Sequence, residues 1–325
     1  MALFEETSIK KRIALDRNSN EIEVDIIKEN IHLDNAGHIV KEKQETHWKV
    51  LDFDMLPEWL RDNEYLKSGH RPPLENYLAC FKSVFKMHSE TGNIWSHLIG
   101  CVAFIFIAGY FLVTHSDSHV KLYDKLIFLL FFVSAILCLG LSTLFHTCSC
   151  HSAEVFLMFR KLDYLGISVL IVGSFIPWIY YSFYCQIVPK ILYISMIVAF
   201  GAAVIYMSFS PKFLQHKYRP LRATVFVLMG LSAVFPAIHY LYTNGLHRIT
   251  HDRFDLLVTM ALLYIFGAVL YATRVPERFF PGKCDIWMQS HQLFHLLVVM
   301  AAITHYIGTY EMATHRLTGS VVCSS

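Results

Sequence analysis

Seven predominantly apolar stretches run through this chain, near 93 to 113, 124 to 146, 161 to 184, 188 to 208, 221 to 243, 254 to 273 and 287 to 310. Each matches or exceeds the roughly 20 residues a helix needs to cross about 30 Å of hydrocarbon. The pattern predicts an all-α membrane protein, a seven-helix bundle. It also predicts a division of the chain: 1–46 a polar, mobile tail, 47–92 a segment outside the membrane, 93–310 the transmembrane domain, and 311–325 a short C-terminal tail.

Composition agrees. Hydrophobic residues make up 54% of the chain and charged residues 17%, with a mean hydropathy of +0.41, a balance foreign to a soluble domain of this length. Before the first span, Leu56-Pro57-Glu58-Trp59-Leu60 with Tyr65 and Leu66 reads as a short amphipathic helix with Asp54 as its N-cap, or else as a linker. The extreme N-terminus carries Glu5, Glu6, Lys10, Lys11 and Arg12 where a signal peptide would have its apolar core, so none is expected.

Orientation follows from the basic residues flanking the spans. One set of connections holds Arg71, Lys82, Lys86, Arg160, Lys161, Lys212, Lys217, Arg219, Arg222, Arg274, Arg278 and Lys283; the alternate set holds Lys121, Lys125, Lys190, Arg248, Arg253 and Arg316. Twelve against six places the first set, and the N-terminus with it, in the cytoplasm. With seven spans the C-terminus is then extracellular, the inverse of a G-protein-coupled receptor. A rhodopsin-like receptor is further disfavoured because the seventh stretch has no Asn-Pro-x-x-Tyr and no Asp-Arg-Tyr follows the third.

This order brings chemistry together. The second span ends at His146, the third starts at Asp163, and the seventh starts with His291 and His295, all at the cytoplasmic face. Ionisable groups at membrane depth are costly and mark functional sites. His291 and His295 are four residues apart, about 6 Å in rise on one side of a helix, so two imidazoles can share an ion. Ser142 and His146 repeat that spacing. Three histidines would leave the fourth position of a tetrahedral zinc open to water, as in catalytic sites. Other polar residues read as architecture: His97 and His239 as packing histidines, Cys148 and Cys150 as reduced thiols, Pro177 and Pro236 as helix kinks, and Trp178, Tyr180 and Tyr181 as an interfacial belt. Cys185 and Cys323 would both be extracellular, so a disulfide is open to them, although their spacing gives it no support.

The motifs Cys80-Phe81-Lys82-Ser83-Val84-Phe85, Glu90-Thr91-Gly92-Asn93-Ile94-Trp95-Ser96-His97, Phe145-His146-Thr147 with Cys150-His151-Ser152, and Lys161-Leu162-Asp163-Tyr164 occur in an order that resembles the progestin and adipoQ receptor family. So do Val275-Pro276-Glu277-Arg278-Phe279-Phe280-Pro281-Gly282-Lys283 and Ser290-His291-Gln292-Leu293-Phe294-His295. Leu56 to Asn63 and Gly69-His70-Arg71-Pro72-Pro73 point to its adiponectin receptor branch, and the resemblance runs from about His47 to Tyr310. It implies a zinc ion on His146, His291 and His295, with Asp163 reaching the metal through water. It also implies a ceramidase-like hydrolase activity with Ser142 as a shared catalytic serine, and a lipid pocket lined by Tyr164, Arg222 and Tyr271. The partners it implies are an extracellular adiponectin-like protein, ceramide or fatty acid within the bundle, membrane lipids and cytoplasmic signalling adaptors, at the plasma membrane; homo-oligomerisation stays open and no nucleic acid is expected. The alternative is a non-catalytic receptor or membrane-homeostasis scaffold in which zinc is structural.

Overall fold

The computed structural model describes residues 49–114, 121–210, 213–245 and 252–318, and before them the backbone of four strands. Cys323, Lys212 and Arg248 lie outside the described residues.

Seven helical spans are present. They are α2 (Thr91–Thr114), α3 (Leu122–Cys148), α4 (Ala153–Ser182), α5 (Ile187–Ser208), the pair α6 (Arg219–Leu231) and α7 (Val234–Asn244) forming one span, α8 (Phe254–Thr273) and α9 (Ser290–Thr318). A short α1 (Tyr77–Ser83) precedes them. Two spans extend well past an end of their apolar runs. Helix α4 starts at Ala153 because the Ser152 side chain caps it, accepting a hydrogen bond from Val155 N at 3.4 Å; Asp163 therefore sits in the third turn, not at the start. Helix α9 continues to Thr318, past the expected C-terminal boundary, because Arg316 near its end pairs with the fully buried Asp252 at 3.1 Å and donates to Tyr240 Oη at 2.6 Å. The polar N-terminal stretch holds strands β1 (Glu6–Ile9), β2 (Arg12–Ile13), β3 (Val24–Leu33) and β4 (Ile39–Trp48); β3 is central and pairs antiparallel with the other three, Val24 opposite Trp48 and Leu33 opposite Ile39. Val24, Ile26, Ile27 and Ile31 give β3 its strand propensity, a signal that the mixed charge of the stretch concealed.

Close packing by small residues draws the bundle together. A Cβ built on Gly166 of α4 would lie 2.9 Å from Cys138 Cα of α3, and one on Gly173 would collide with the Ser134 side chain. Backbones approach this closely in membranes where glycine removes the obstruction. Around them lies an aromatic core: Phe111 and Phe128 have ring centroids 4.9 Å apart, and Phe132 lies 5.2 Å from Tyr306. Of the three aromatics expected to form an interfacial belt on α4, Trp178 and Tyr181 are buried, and Tyr181 donates to Asp124 at 2.9 Å, so these two serve the core because α4 is enclosed by its neighbours; Tyr180 is half-buried, with the Lys190 ammonium 4.9 Å from its ring.

Residues 49–90 fold over the end of the bundle that carries the histidines. The amphipathic helix expected there is replaced by two 3-10 turns, Phe53–Met55 and Glu58–Leu60, since Pro57 holds Leu56 in an extended conformation (φ −71°, ψ 145°). Asp54 is no cap; Asp52 precedes the first turn and makes no side-chain cap bond. Leu56 and Leu66 are buried. The Asp285 carboxylate accepts from Lys67 N and Ser68 N at 2.9 and 2.8 Å, and Glu277, fully buried, accepts from Asn63 Nδ2 at 3.0 Å and from Ser290 N at the start of α9 at 2.7 Å. At the opposite end Cys185 is disulfide-bonded, while Cys80, Cys101, Cys138, Cys148, Cys150 and Cys284 are free.

The α3–α4 approach gives a direct test. Gly166→Val should overpack that contact at a cost of about 1–3 kcal/mol, read as a lower melting temperature of the purified protein. Gly109→Ala, whose added Cβ meets nothing within 4 Å, should leave the melting temperature unchanged; equal behaviour of the two would remove the packing argument.

Candidate metal centre

Helix α3 must end where its last carbonyls can be satisfied, since four lack partners within the helix. Arg71 supplies the donors. Its guanidinium bonds the His146 carbonyl, the Thr147 carbonyl at 3.0 Å and Ser149 Oγ at 3.2 Å, and is steadied by Ser83 Oγ at 2.8 Å. The cationic group also complements the negative end of the helix dipole. His146 is thereby fixed at the last turn of α3.

Helix α9 begins opposite. Gln289 Nε2 donates to Ser89 O at 2.9 Å, Gln292 Nε2 donates to Ile286 O at 2.7 Å, and a Cβ on Gly92 would lie 2.5 Å from the Gln292 side chain. The first turns of α2 and α9 are thus locked against each other, and His291 and His295 project from α9 toward His146.

The three imidazoles meet. One ring nitrogen from each of His146, His291 and His295 lies within 4.8 Å of the others, a set that could hold a metal ion, and His146 Nε2 is 3.3 Å from His291 Nε2. The remaining nitrogens explain the orientation. His146 Nδ1 donates to Glu90 Oε2 at 2.7 Å, and His295 Nδ1 donates to Asn93 O at 3.2 Å. A carboxylate and a carbonyl only accept, so both rings carry their proton on Nδ1 and present a bare Nε2 inward. His97 stacks on His295, with centroids 3.6 Å apart and planes at 8°.

A cavity of about 490 Å³ opens from this cluster. Every other predicted site residue lines it: Asp163 and Ser142 beside the histidines, with Tyr164, Arg222 and Tyr271 around them. Asp163 is buried but lies outside the cluster of three, and the buried Ser142 hydroxyl lies beside its carboxylate. Arg222 donates to Phe213 O and Gln215 O, both at 2.8 Å, with its guanidinium 5.4 Å from the Tyr164 ring. Tyr271 packs on His291 at 5.4 Å and under the Arg219 guanidinium at 3.9 Å. Farther in, the walls turn apolar and aromatic, and the cavity reaches Trp178, Phe254 and His305 near the other end of the bundle. Leu231, Val234 and Val258, on the α6–α7 span and α8, line it and are themselves exposed.

Cys148 and Cys150 stay apart from the histidine group; Cys150 Sγ lies 3.7 Å from Cys80 Sγ, and both are buried free thiols. Sequence reasoning passed over Arg71, Glu90 and Asn93 as site residues. The signal was a carboxylate and an amide three residues apart at the mouth of the first span, on the face assigned to the histidines. Burial alone would raise the Glu90 carboxyl, but the hydrogen bond from His146, with the Arg71 charge nearby, holds it well below the usual carboxylate range.

The haemolysin-III-related family model matches residues 85–306. Progestin and adipoQ receptor-like protein 1 of Caenorhabditis elegans is 56% identical over 301 residues, covering 92% of this chain and 68% of its own length. The adiponectin receptor protein of Drosophila melanogaster is 50% identical over 300 residues, with 92% and 67% covered. Heptahelical transmembrane protein 3 of Arabidopsis thaliana is 35% identical over 298 residues, with 80% and 86% covered. With its seven spans and its histidine-headed cavity, the chain therefore belongs to the haemolysin-III-related family, as an adiponectin-receptor-like member of the progestin and adipoQ receptors.

Proposed function

We propose that this receptor binds one zinc ion on His146, His291 and His295 and hydrolyses a lipid amide of the ceramide class. The observation that carries the reading is the inward convergence of Nε2 atoms. Tetrahedral zinc with Zn–N bonds of about 2.0–2.1 Å places its ligand nitrogens about 3.3 Å apart, and His146 Nε2 and His291 Nε2 are 3.3 Å apart. Three neutral imidazoles with no thiolate favour zinc and leave a position for water.

Zinc so held supplies a Lewis acid and a water with its pKa lowered to about 7. Asp163 accepts the proton of the attacking water and returns it to the departing amine. Ser142 Oγ, buried beside Asp163, donates to the oxygen on which negative charge develops. Tyr164, Arg222 and Tyr271 hold the polar part of the lipid, and the apolar depth of the cavity takes a chain. The products are a fatty acid and a sphingoid base. A lipid substrate is supported by the apolar depth of the cavity, whose lining residues Leu231, Val234 and Val258 are themselves exposed.

The same reading places the histidine end in the cytoplasm of a cell whose plasma membrane the protein spans. Twelve basic flanking residues against six support this, as does cysteine chemistry: thiols at the histidine end, Cys80 and Cys150 among them, are free although close, whereas Cys185 at the other end is disulfide-bonded. Disulfides persist in oxidising compartments. By the name of the Drosophila relative, the extracellular ligand is an adiponectin-like protein, with adaptors engaging the cytoplasmic segment.

Three measurements test this. Metal analysis of purified protein should find one zinc per chain and a marked loss in His291→Ala and His295→Ala; stoichiometric zinc in the double variant would remove the site. Asp163→Asn should keep most of the zinc and slow ceramide turnover by roughly 100-fold or more; zinc at full occupancy with no turnover in the wild type would leave a receptor in which zinc is structural. Tags at both termini should stain from outside only at the C-terminus on intact cells, and at the N-terminus after permeabilisation; the reverse would put the histidines at the outer face.

A further inference from the structure

We infer that Glu90 is a positioning residue for the metal centre: its carboxylate locks His146 in the tautomer and orientation that a metal requires. The inference rests on the zinc reading above and extends it to groups that do not touch the ion.

The geometry is specific. Glu90 Oε2 lies 2.7 Å from His146 Nδ1 and takes a second hydrogen bond, at 2.8 Å, from Asn93 Nδ2. The His146 side chain is 4% exposed and that of Glu90 31%, so the bond is sheltered on the histidine side and opens toward the cavity, which Glu90 lines. Histidine ligands to metals characteristically pass their other ring proton to a carboxylate or carbonyl, which fixes the ring and raises its basicity as a ligand. Here both kinds of acceptor come from one turn. Glu90 serves His146 on α3, and the backbone carbonyl of Asn93, aided by Ser96 Oγ at 3.4 Å, serves His295 on α9. The turn is itself held in place: Glu90 N donates to His88 Nδ1 at 3.1 Å, and His88 N donates to Thr91 Oγ1 at 2.9 Å.

A single turn of α2 therefore sets the aim of two ligands belonging to two other helices. His291 has no comparable partner among the described residues, its Nδ1 being buried and unbonded. The orienting burden falls on Glu90 and Asn93, and of the two only Glu90 does so through a side chain that can be changed.

The experiment is a zinc competition titration with a chromophoric chelator on full-length purified protein, comparing wild type, Glu90→Gln and Glu90→Ala, with the melting temperature of each zinc-free form measured alongside. The amide of Glu90→Gln still accepts a hydrogen bond, more weakly, whereas Glu90→Ala offers none. Zinc affinity should fall about 10–100-fold in the order wild type, Gln, Ala, with zinc-free melting temperatures unchanged. The absorption spectrum of the cobalt(II)-loaded variants should shift as well, reporting altered ligand geometry. Affinity equal to wild type in Glu90→Ala would overturn the proposal. So would a loss that only follows a lower zinc-free melting temperature, since that is a structural role. Wild-type protein that takes up no zinc would overturn the metal-site reading itself and this inference with it.

Discussion

Helix ends at membrane depth set the terms of this structure. Each span finishes with backbone groups that no hydrocarbon can satisfy, and where three spans end together that demand is concentrated. Arg71 meets it for α3 by donating to the carbonyls of His146 and Thr147, and Glu277 meets it for α9 by accepting from Ser290 N. Both partners come from connecting segments, so the loops at this end are part of the bundle's interior. The three clustered histidines lie within one or two turns of these capped ends, and their placement inherits the rigidity of the caps.

The same constraint explains why the site is polar at one end and apolar over most of its length. Buried charges and amides are affordable where each finds a partner, as Asp285, Glu277, Asn63 and Gln289 do. One turn deeper no loop reaches, and the cavity walls turn to aliphatic and aromatic side chains. A molecule that suits both regions has a compact polar group and a long apolar tail.

Much of this was legible in the sequence. The seven spans, their order, and the common depth of His146, His291 and His295 followed from hydropathy and spacing, because membrane thickness allows a helix few alternatives. The site residues Asp163, Ser142, Tyr164, Arg222 and Tyr271 do share the histidines' cavity. What escaped was everything set by long-range hydrogen bonding. The periodicity around Trp59 suggested a helix, but Pro57 and the pull of Leu56 and Leu66 into the interior produced two turns instead. Trp178 and Tyr181 have the composition of an interfacial belt, and only the enclosure of α4 turns them inward. Glu90 stands just before the first span, and nothing local says that its partner lies 56 positions away.

Those separations impose an order on biosynthesis. Asn63 bonds Glu277 across 214 residues, Ser68 bonds Asp285 across 217, and Ser89 bonds Gln289 across 200. Every one of these ties joins a segment made before the first span to one made after the sixth. During synthesis the early segment must wait, its polar groups in water, until nearly the whole chain has been inserted. The centre can then close only in a single late step, and a chain stopped short of its last helix lacks both His291 and His295 and the latch that would hold them.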